Sequence, residues 1–305
     1  MGKAIIIGGG SIGKRHSKNL NEIGIATRIV DVDEIDNIDQ ILLEKYDFGF
    51  VCSPNVFHIQ HCLKLAEHNI PIFCEKPFYT DRTGVDQLLK IVNNKNLTTM
   101  VGCNLRFTDS VKSIDKNTPY ISAYFGYNLK KWRPNTNHLE SHSANKSLGG
   151  GILLDCIHEL DYLFYKFGEI KEIEFDKYKL TDITNDTEDL VRGKIDFKSG
   201  TKASFSLNYL SENYTRYYDI IEKDIIKRVD LKIDNDMYKK QTEYFVQKVN
   251  QNASCMNNFN EADYLLTKIL GEKNETIRSS TRSRNDGPTK VTTRTIRYCT
   301  STQRV

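Results

Sequence analysis

Ala4-Ile5-Ile6-Ile7-Gly8-Gly9-Gly10-Ser11-Ile12-Gly13 opens the chain with an unbroken apolar run that ends in a glycine cluster. A run without alternation is what a parallel strand buried on both faces requires, and Gly13 to Gly24 then reads as a helix. The spacing Gly8-x-Gly10-x-x-Gly13, between strand and helix, fits a phosphate loop. The first glycine makes the tight turn, the second lets the backbone approach a pyrophosphate, and the third lets helix pack on strand, while the helix start offers free N–H donors. Gly8, Gly10, Ser11, Ile12 and Gly13 are therefore candidate cofactor contacts.

Ala26 to Val32 reads as a second strand, with Asp31 at its end, 18 positions beyond Gly13. A carboxylate there would bond the ribose hydroxyls of a dinucleotide and repel a 2′-phosphate, which favours NAD over NADP. Asp33 competes for that role, and Arg28 and Arg15 keep NADP open. Tyr46 to Cys52, Ile70 to Cys74 and Thr98 to Cys103 supply three more strands. Helices separate them, with apolar positions Ile59, Leu63 and Ala66 in one and Val85, Leu88, Leu89 and Val92 in the other. Strands alternating with helices give a doubly wound parallel sheet. Only one short helix fits between Asp33 and Tyr46, so the first half is short by about a helix and a strand relative to six-stranded relatives.

After Asn104 the pattern becomes period two: Ala203, Phe205, Leu207 and Tyr209 share one strand face after a Lys198-Ser199-Gly200 turn, and Ile173 and Phe175 alternate upstream. The expected fold is thus α/β, a Rossmann domain over residues 1–104 followed by an α+β domain over 105–270 with a largely antiparallel sheet. Helices are expected from about Ile152 to Phe167, Met237 to Val249 and Glu261 to Leu270.

The length of 305 residues and 39% hydrophobic content suit two packed domains. The net charge of +3 misleads: residues 271–305 hold eight Lys/Arg against three Asp/Glu, leaving −2 for the rest. That tail is crowded with Ser, Thr and Arg, lacks periodicity and reads as disordered. No basic stripe interleaved with aromatics marks a nucleic-acid surface in the body. Nothing approaches the roughly 18 apolar residues of a membrane span, and no signal pattern precedes the first strand, so a cytoplasmic location is expected. The seven cysteines are scattered and never spaced Cys-x-x-Cys, which argues against a disulfide framework or a structural metal.

Two further segments carry chemistry. Glu75-Lys76-Pro77 puts a lysine at the carboxyl end of a strand, beside the phosphate loop. Gly149-Gly150-Gly151 precedes Ile152 to Phe167; at 100° per residue Leu153, Ile157, Leu160, Phe164 and Phe167 form a core face, with Asp155, His158 and Tyr162 opposite. Cys52-Ser53-Pro54-Asn55 ends another strand where open α/β sheets bind ligands, with Asn55 placed to cap the next helix. Ser53, Asn55 and His58 are candidates on the cofactor side, although His58 and His61 read by themselves as packing or surface residues.

These segments carry a resemblance. The loop Gly8 to Gly13, Glu75-Lys76-Pro77, Val101-Gly102-Cys103-Asn104-Leu105-Arg106-Phe107 and Gly149 to Tyr162, in this order, resemble the Gfo/Idh/MocA oxidoreductase family over about residues 3–270. Asn-Leu-Arg-Phe, Trp132-Arg133-Pro134 and His158-Glu159-Leu160-Asp161-Tyr162 are similar to members associated with nonulosonic acid and surface-polysaccharide synthesis. The resemblance implies NAD(P)-dependent oxidation or reduction of a sugar CH–OH group, and a homodimer or homotetramer formed through the open sheet. It also implies catalytic Lys76, Asp155 and His158. The family commonly spaces the last two Asp-x-x-x-His, whereas here they are Asp-x-x-His.

On this reading His158, with an ordinary pKa of about 6.5, is the general base. Asp155 orients its imidazole or bonds a substrate hydroxyl, and Lys76 stabilises charge on the reacting oxygen. Glu75 pairs with a cofactor ribose, while Asn104, Arg106 and Trp132 join Lys76, Asp155 and His158 around the substrate. No metal is implied. A non-catalytic dinucleotide sensor or partner subunit of the same fold is the alternative, and a tail that binds nucleic acid is a third reading.

Overall fold

The computed structural model describes residues 2–132, 134, 136–233, 236–271 and 277–279. Strand β1 (Lys3–Ile7) runs into helix α1 (Ser11–Glu22), then β2 (Ala26–Val30). A single 3₁₀ turn and α2 (Ile38–Ile41) lead to β3 (Phe48–Val51), α3 (His58–Glu67), β4 (Ile72–Glu75), α4 (Val85–Asn94) and β5 (Thr99–Gly102). All five strands are parallel, in the order β2-β1-β3-β4-β5. The short α2 region confirms that one helix and one strand are missing relative to a six-stranded sheet. Ala4 to Ile7 are at most 1% exposed, as the unbroken apolar run demanded. The chain leaves β1 for β2 on one side and returns to β3 on the other, so the order reverses beside the glycine loop. That reversal opens a crevice at the carboxyl ends of the strands. Helix α3 buries Ile59, Cys62, Leu65 and Ala66, one step round from the face drawn through Leu63.

Beyond a 3₁₀ turn at Asn104–Phe107 come α5 (Asp109–Lys112), β6 (Tyr120–Gly126), α6 (Leu129–Trp132), α7 (Ile152–Asp155) and α8 (His158–Phe167). Strands β7 (Ile170–Lys179), β8 (Leu190–Phe197), β9 (Lys202–Asn208), β10 (Thr215–Glu222) and β11 (Ile225–Asp230) follow, then α9 (Asp236–Asn250), α10 (Phe259–Leu270) and β12 (Ile277–Ser279). The second sheet has the order β11-β10-β6-β9-β8-β7-β12. It is mostly antiparallel; β6 with β9 and β7 with β12 are its parallel pairs. Gly200, at φ +96°, closes the β8–β9 hairpin.

The expected helix from Ile152 to Phe167 is two helices. Cys156, at φ −111° and ψ +36°, interrupts it between Asp155 and His158. The expected disorder of the tail meets the described residues only at β12, a three-residue strand; residues 272–276 and 280–305 lie outside them. Helix α9 returns to the first sheet. Phe245, fully buried, meets Phe50 at 5.5 Å and Phe73 at 5.7 Å between ring centres, both edge-on. Among the described residues no helix is long and apolar enough to cross a membrane.

Candidate functional site

The glycine loop has the backbone it needs. Gly8 sits at φ +108°, and a Cβ there would lie 2.5 Å from the Cys52 carbonyl oxygen. A Cβ on Gly13 would lie 2.0 Å from the Gly8 carbonyl oxygen, so helix and strand touch only because it is absent. Around Gly10 the space is open, and among the described residues no side chain caps the start of α1, which leaves its first N–H groups to face an anion. Ser11 and Ile12 form the first residues of that helix. A Cβ on Gly9 would meet Asp31 Oδ2 at 2.3 Å, which places the β2 carboxylate directly against the loop. Gly8, Asp31, Ser53, Pro54, His61 and Lys64 are among the residues lining a cleft of about 280 Å³ beside it. These residues fit a dinucleotide. Arg28 is paired with Glu44 at 2.7 Å and Glu34 at 3.4 Å, and Arg15 lies over the Tyr238 ring, so both arginines have other partners than a 2′-phosphate.

The strand ends are cross-tied. His58 Nδ1 is 2.7 Å from the Pro77 carbonyl and Nε2 is 2.9 Å from the Ser53 carbonyl, while His61 Nδ1 meets Ser53 Oγ at 2.8 Å. Both imidazoles are buried, and burial lowers their pKa, that of His61 to about 4. Asn55 caps no helix; its Nδ2 donates to the Gly149 carbonyl at 3.3 Å, tying the β3 end to the glycine triplet. Glu75 turns inward. His16 Nε2 holds its Oε1 at 2.8 Å, and His16 Nδ1 meets Thr242 Oγ1 of α9 at 3.2 Å.

Lys76 Nζ donates to the Asp155 carbonyl oxygen at 2.8 Å, which joins the end of β4 to the end of α7. Asp155 is 4% exposed, and neither carboxylate oxygen goes to His158. Oδ2 accepts from Tyr209 Oη at 2.6 Å, and Oδ1 lies 3.2 Å from His142 Nε2. Burial pushes this carboxyl up, but the His142 bond and the Lys76 charge outweigh it and hold it well below the usual range. His158 departs from expectation. Its imidazole is 91% removed from solvent (9% exposed), makes no hydrogen bond among the described residues, and is driven well below its ordinary pKa by burial first, then by Lys76 and Arg216. Tyr162, expected on the same polar face, is fully buried.

Arg106 is not a pocket floor. It is 1% exposed and spans Asp161 with two bonds, 2.8 and 2.7 Å, with Asn257 at 3.1 Å, so its donors face inward. Asn104 is buried with Oδ1 unpartnered among the described residues. Trp132 stands edge-on to Tyr209 at 6.3 Å, beside the Asp155 cluster; Arg133 lies outside the described residues. The structure thus gathers Lys76, Asp155 and His158, and adds His142 and Tyr209, which the sequence did not single out. By alternation Tyr209 is the last core residue of its strand, and His142 lies in a stretch without periodicity. Among the described residues no group of three or more His, Cys, Asp or Glu side chains is placed to hold a metal ion.

Comparison with known proteins follows the same division. Residues 23–103 match the oxidoreductase family NAD-binding Rossmann fold, and residues 122–222 match the GFO/IDH/MocA C-terminal domain. An uncharacterised oxidoreductase of Bacillus subtilis is 29% identical over 195 residues, 55% of this chain and 54% of that protein. The 2,7-anhydro-N-acetylneuraminate hydratase of Escherichia coli is 28% identical over 141 residues, 45% of this chain and 38% of its own length. The matches therefore span about half or less of these curated relatives. The crystal structure of myo-inositol 2-dehydrogenase from Lactobacillus plantarum superposes with a TM-score of 0.70 at 17% identity, covering 87% of this chain and 94% of that one. At that identity the likeness is one of fold.

Proposed function

The chain belongs to the Gfo/Idh/MocA oxidoreductase family, with an NAD-binding Rossmann domain, and from that premise we propose that it transfers a hydride between nicotinamide and a CH–OH carbon of a sugar. The observation that carries this reading is the Lys76 ammonium, fixed on the Asp155 carbonyl at the carboxyl edge of the sheet that also bears the glycine loop. When bound, NAD supplies the redox step. Gly8, Gly10 and the start of α1 hold its pyrophosphate and Asp31 its ribose. Lys76 donates to the reacting oxygen and stabilises negative charge there. His158, kept neutral by burial first and then by Lys76 and Arg216, serves as a hydrogen-bonding partner to substrate without taking on charge. Trp132 shapes the pocket wall, and Asn104 offers its free Oδ1. Residues 1–104 and 105–270 are the corresponding binding and substrate domains, with α9 shared between them.

The names of the curated relatives favour an anhydro sugar or a nonulosonic acid as the substrate class. Because two of those relatives are called hydratases, the assay follows sugar products as well as reduced cofactor. Calorimetric titration with NADH and with NADPH comes first, then a panel of 2,7-anhydro-N-acetylneuraminate, N-acetylneuraminate and myo-inositol. The expected result is NADH binding much tighter than NADPH, and product from at least one sugar, lost at least a hundredfold in Lys76→Met with NADH binding within threefold. Lys76→Met turnover within a few-fold of the unaltered protein refutes the assignment, and NADH binding without turnover on any sugar points to a non-catalytic sensor.

A further inference from the structure

A histidine that acts as general base in hydride transfer from an alcohol becomes a cation, and the two histidines near Asp155 are not equally suited to that. His158 is opposed as an imidazolium by burial first and then by Lys76 and Arg216, which together outweigh the Asp155 carboxylate. His142 stands on the other side of Asp155, with Nε2 3.2 Å from Oδ1 and a side chain that is 38% exposed. A carboxylate accepting from Nε2 fixes the tautomer that carries the proton there, which leaves Nδ1 as an acceptor. Nδ1 has no partner among the described residues. Tyr209 in turn fixes Asp155 from its other oxygen at 2.6 Å.

The loop that brings His142 is anchored. Ser143 accepts from Gly151 N at 3.1 Å and from Thr187 Oγ1 at 2.9 Å, and Ala144 accepts from Asn185 N at 3.0 Å. A Cβ on Gly150 would lie 1.9 Å from the His142 carbonyl oxygen, so the middle glycine of the triplet is what lets this loop close on the Asp155 turn. The triplet therefore serves the position of His142 as well as that of Asp155. The charged group on the imidazole is Asp155, with Tyr209, Lys76, His158 and Glu188 around Asp155 and Arg216 beside His158.

We propose that His142, held by Asp155, which Tyr209 fixes in turn, is the proton acceptor and donor at the substrate hydroxyl. This rests on the sugar-oxidoreductase reading given above. In oxidation the carbinol C–H bond breaks with its electron pair passing to NAD, the O–H bond breaks with its proton passing to His142 Nδ1, and the C=O bond forms. Reduction runs the same transfers backward, with Nδ1–H giving the proton to the new hydroxyl. Lys76 remains the donor that polarises the oxygen, and Tyr209 is a positioning residue acting through Asp155.

Two measurements test this, one of them without substrate. Imidazole ¹H–¹⁵N correlation spectra of the full chain are expected to show His142 in the Nε2–H form, shifting toward a mixture in Asp155→Asn; a dominant Nδ1–H form in the unaltered protein overturns the proposal. In turnover, His142→Gln is expected to lower kcat about a hundredfold, with NADH affinity within threefold and the acid limb of the pH profile gone. Added imidazole should restore part of the rate in His142→Ala, and Tyr209→Phe should lower kcat about tenfold with KM little changed. Full kcat with an unchanged pH profile in His142→Gln, in a protein that is active with its sugar, removes His142 while leaving the oxidoreductase reading intact. An unaltered protein that neither binds NADH nor converts any sugar removes both.

Discussion

Replacing Asp161 with Asn tests the strongest energetic statement the structure makes about a residue that sequence reading had put in the pocket. Arg106 is 1% exposed, and Asp161 accepts from both its Nε and Nη2, at 2.8 and 2.7 Å. Removing one partner of such a buried pair leaves an uncompensated charge, a loss of about 3–5 kcal/mol. Asn retains one acceptor oxygen, Asn257 Oδ1 remains at 3.1 Å and Glu261 Oε2 at 3.5 Å, so the lower end, about 3 kcal/mol, applies here. That is a folding equilibrium shifted by somewhat more than a hundredfold. Urea unfolding followed by circular dichroism reads it as a lower midpoint at unchanged slope. The double variant Arg106→Met/Asp161→Leu should recover a substantial part, because both charges leave together. A loss below about 1 kcal/mol in Asp161→Asn, or a double variant as unstable as the sum of the two singles, would refute the claim that Arg106 is structural.

Other expectations are directly measurable. Gly13→Ala should weaken NADH binding at least tenfold and lower thermal stability, because its Cβ would sit 2.0 Å from a backbone oxygen that cannot step aside. Asp31→Ser should narrow the preference for NADH over NADPH at least tenfold in calorimetry, since the carboxylate against the loop is what repels a 2′-phosphate. Acid should destabilise the fold through His61. Burial lowers its folded pKa from 6.5 to about 4, so the unfolded chain takes up the proton first. Its contribution is present above pH 6.5 and lost as pH falls toward 4, about 3 kcal/mol across that window; His61→Gln should flatten that stretch of the stability profile.

The first sheet was legible because its signals are local. The apolar run Ala4–Ile7 and the glycine spacing each determine geometry within a few residues, and the shortened stretch after Asp33 showed directly that a strand was missing. The two segments that meet at Lys76 and Asp155 could be picked out because one ends a strand and the other follows a glycine triplet. What stayed hidden depends on long-range contacts. The helix break at Cys156 leaves no mark in the apolar periodicity, which continues through Ile157 and Leu160. Arg106 looked like a pocket residue until Asp161, 55 positions away, was seen across it. Tyr209 obeyed strand alternation, so nothing separated its hydroxyl from the core residues Phe205 and Leu207. His142 gains meaning only from the carboxylate beside it, 13 positions later.

Helix α9 has a consequence for how this protein comes off the ribosome. The aromatic surface formed by Phe50 and Phe73 belongs to strands complete within the first hundred residues, yet Phe245, which covers it, is synthesised some 170 residues later. At elongation rates of about 5–20 residues per second, that surface waits at least 8 seconds or so for its cover. During that interval the nascent Rossmann half exposes stacked aromatics, and His16 lacks the Thr242 hydroxyl that meets its Nδ1. Ribosome-bound chains stopped at residue 222 should therefore be far more protease-sensitive in the first sheet than chains stopped beyond 270.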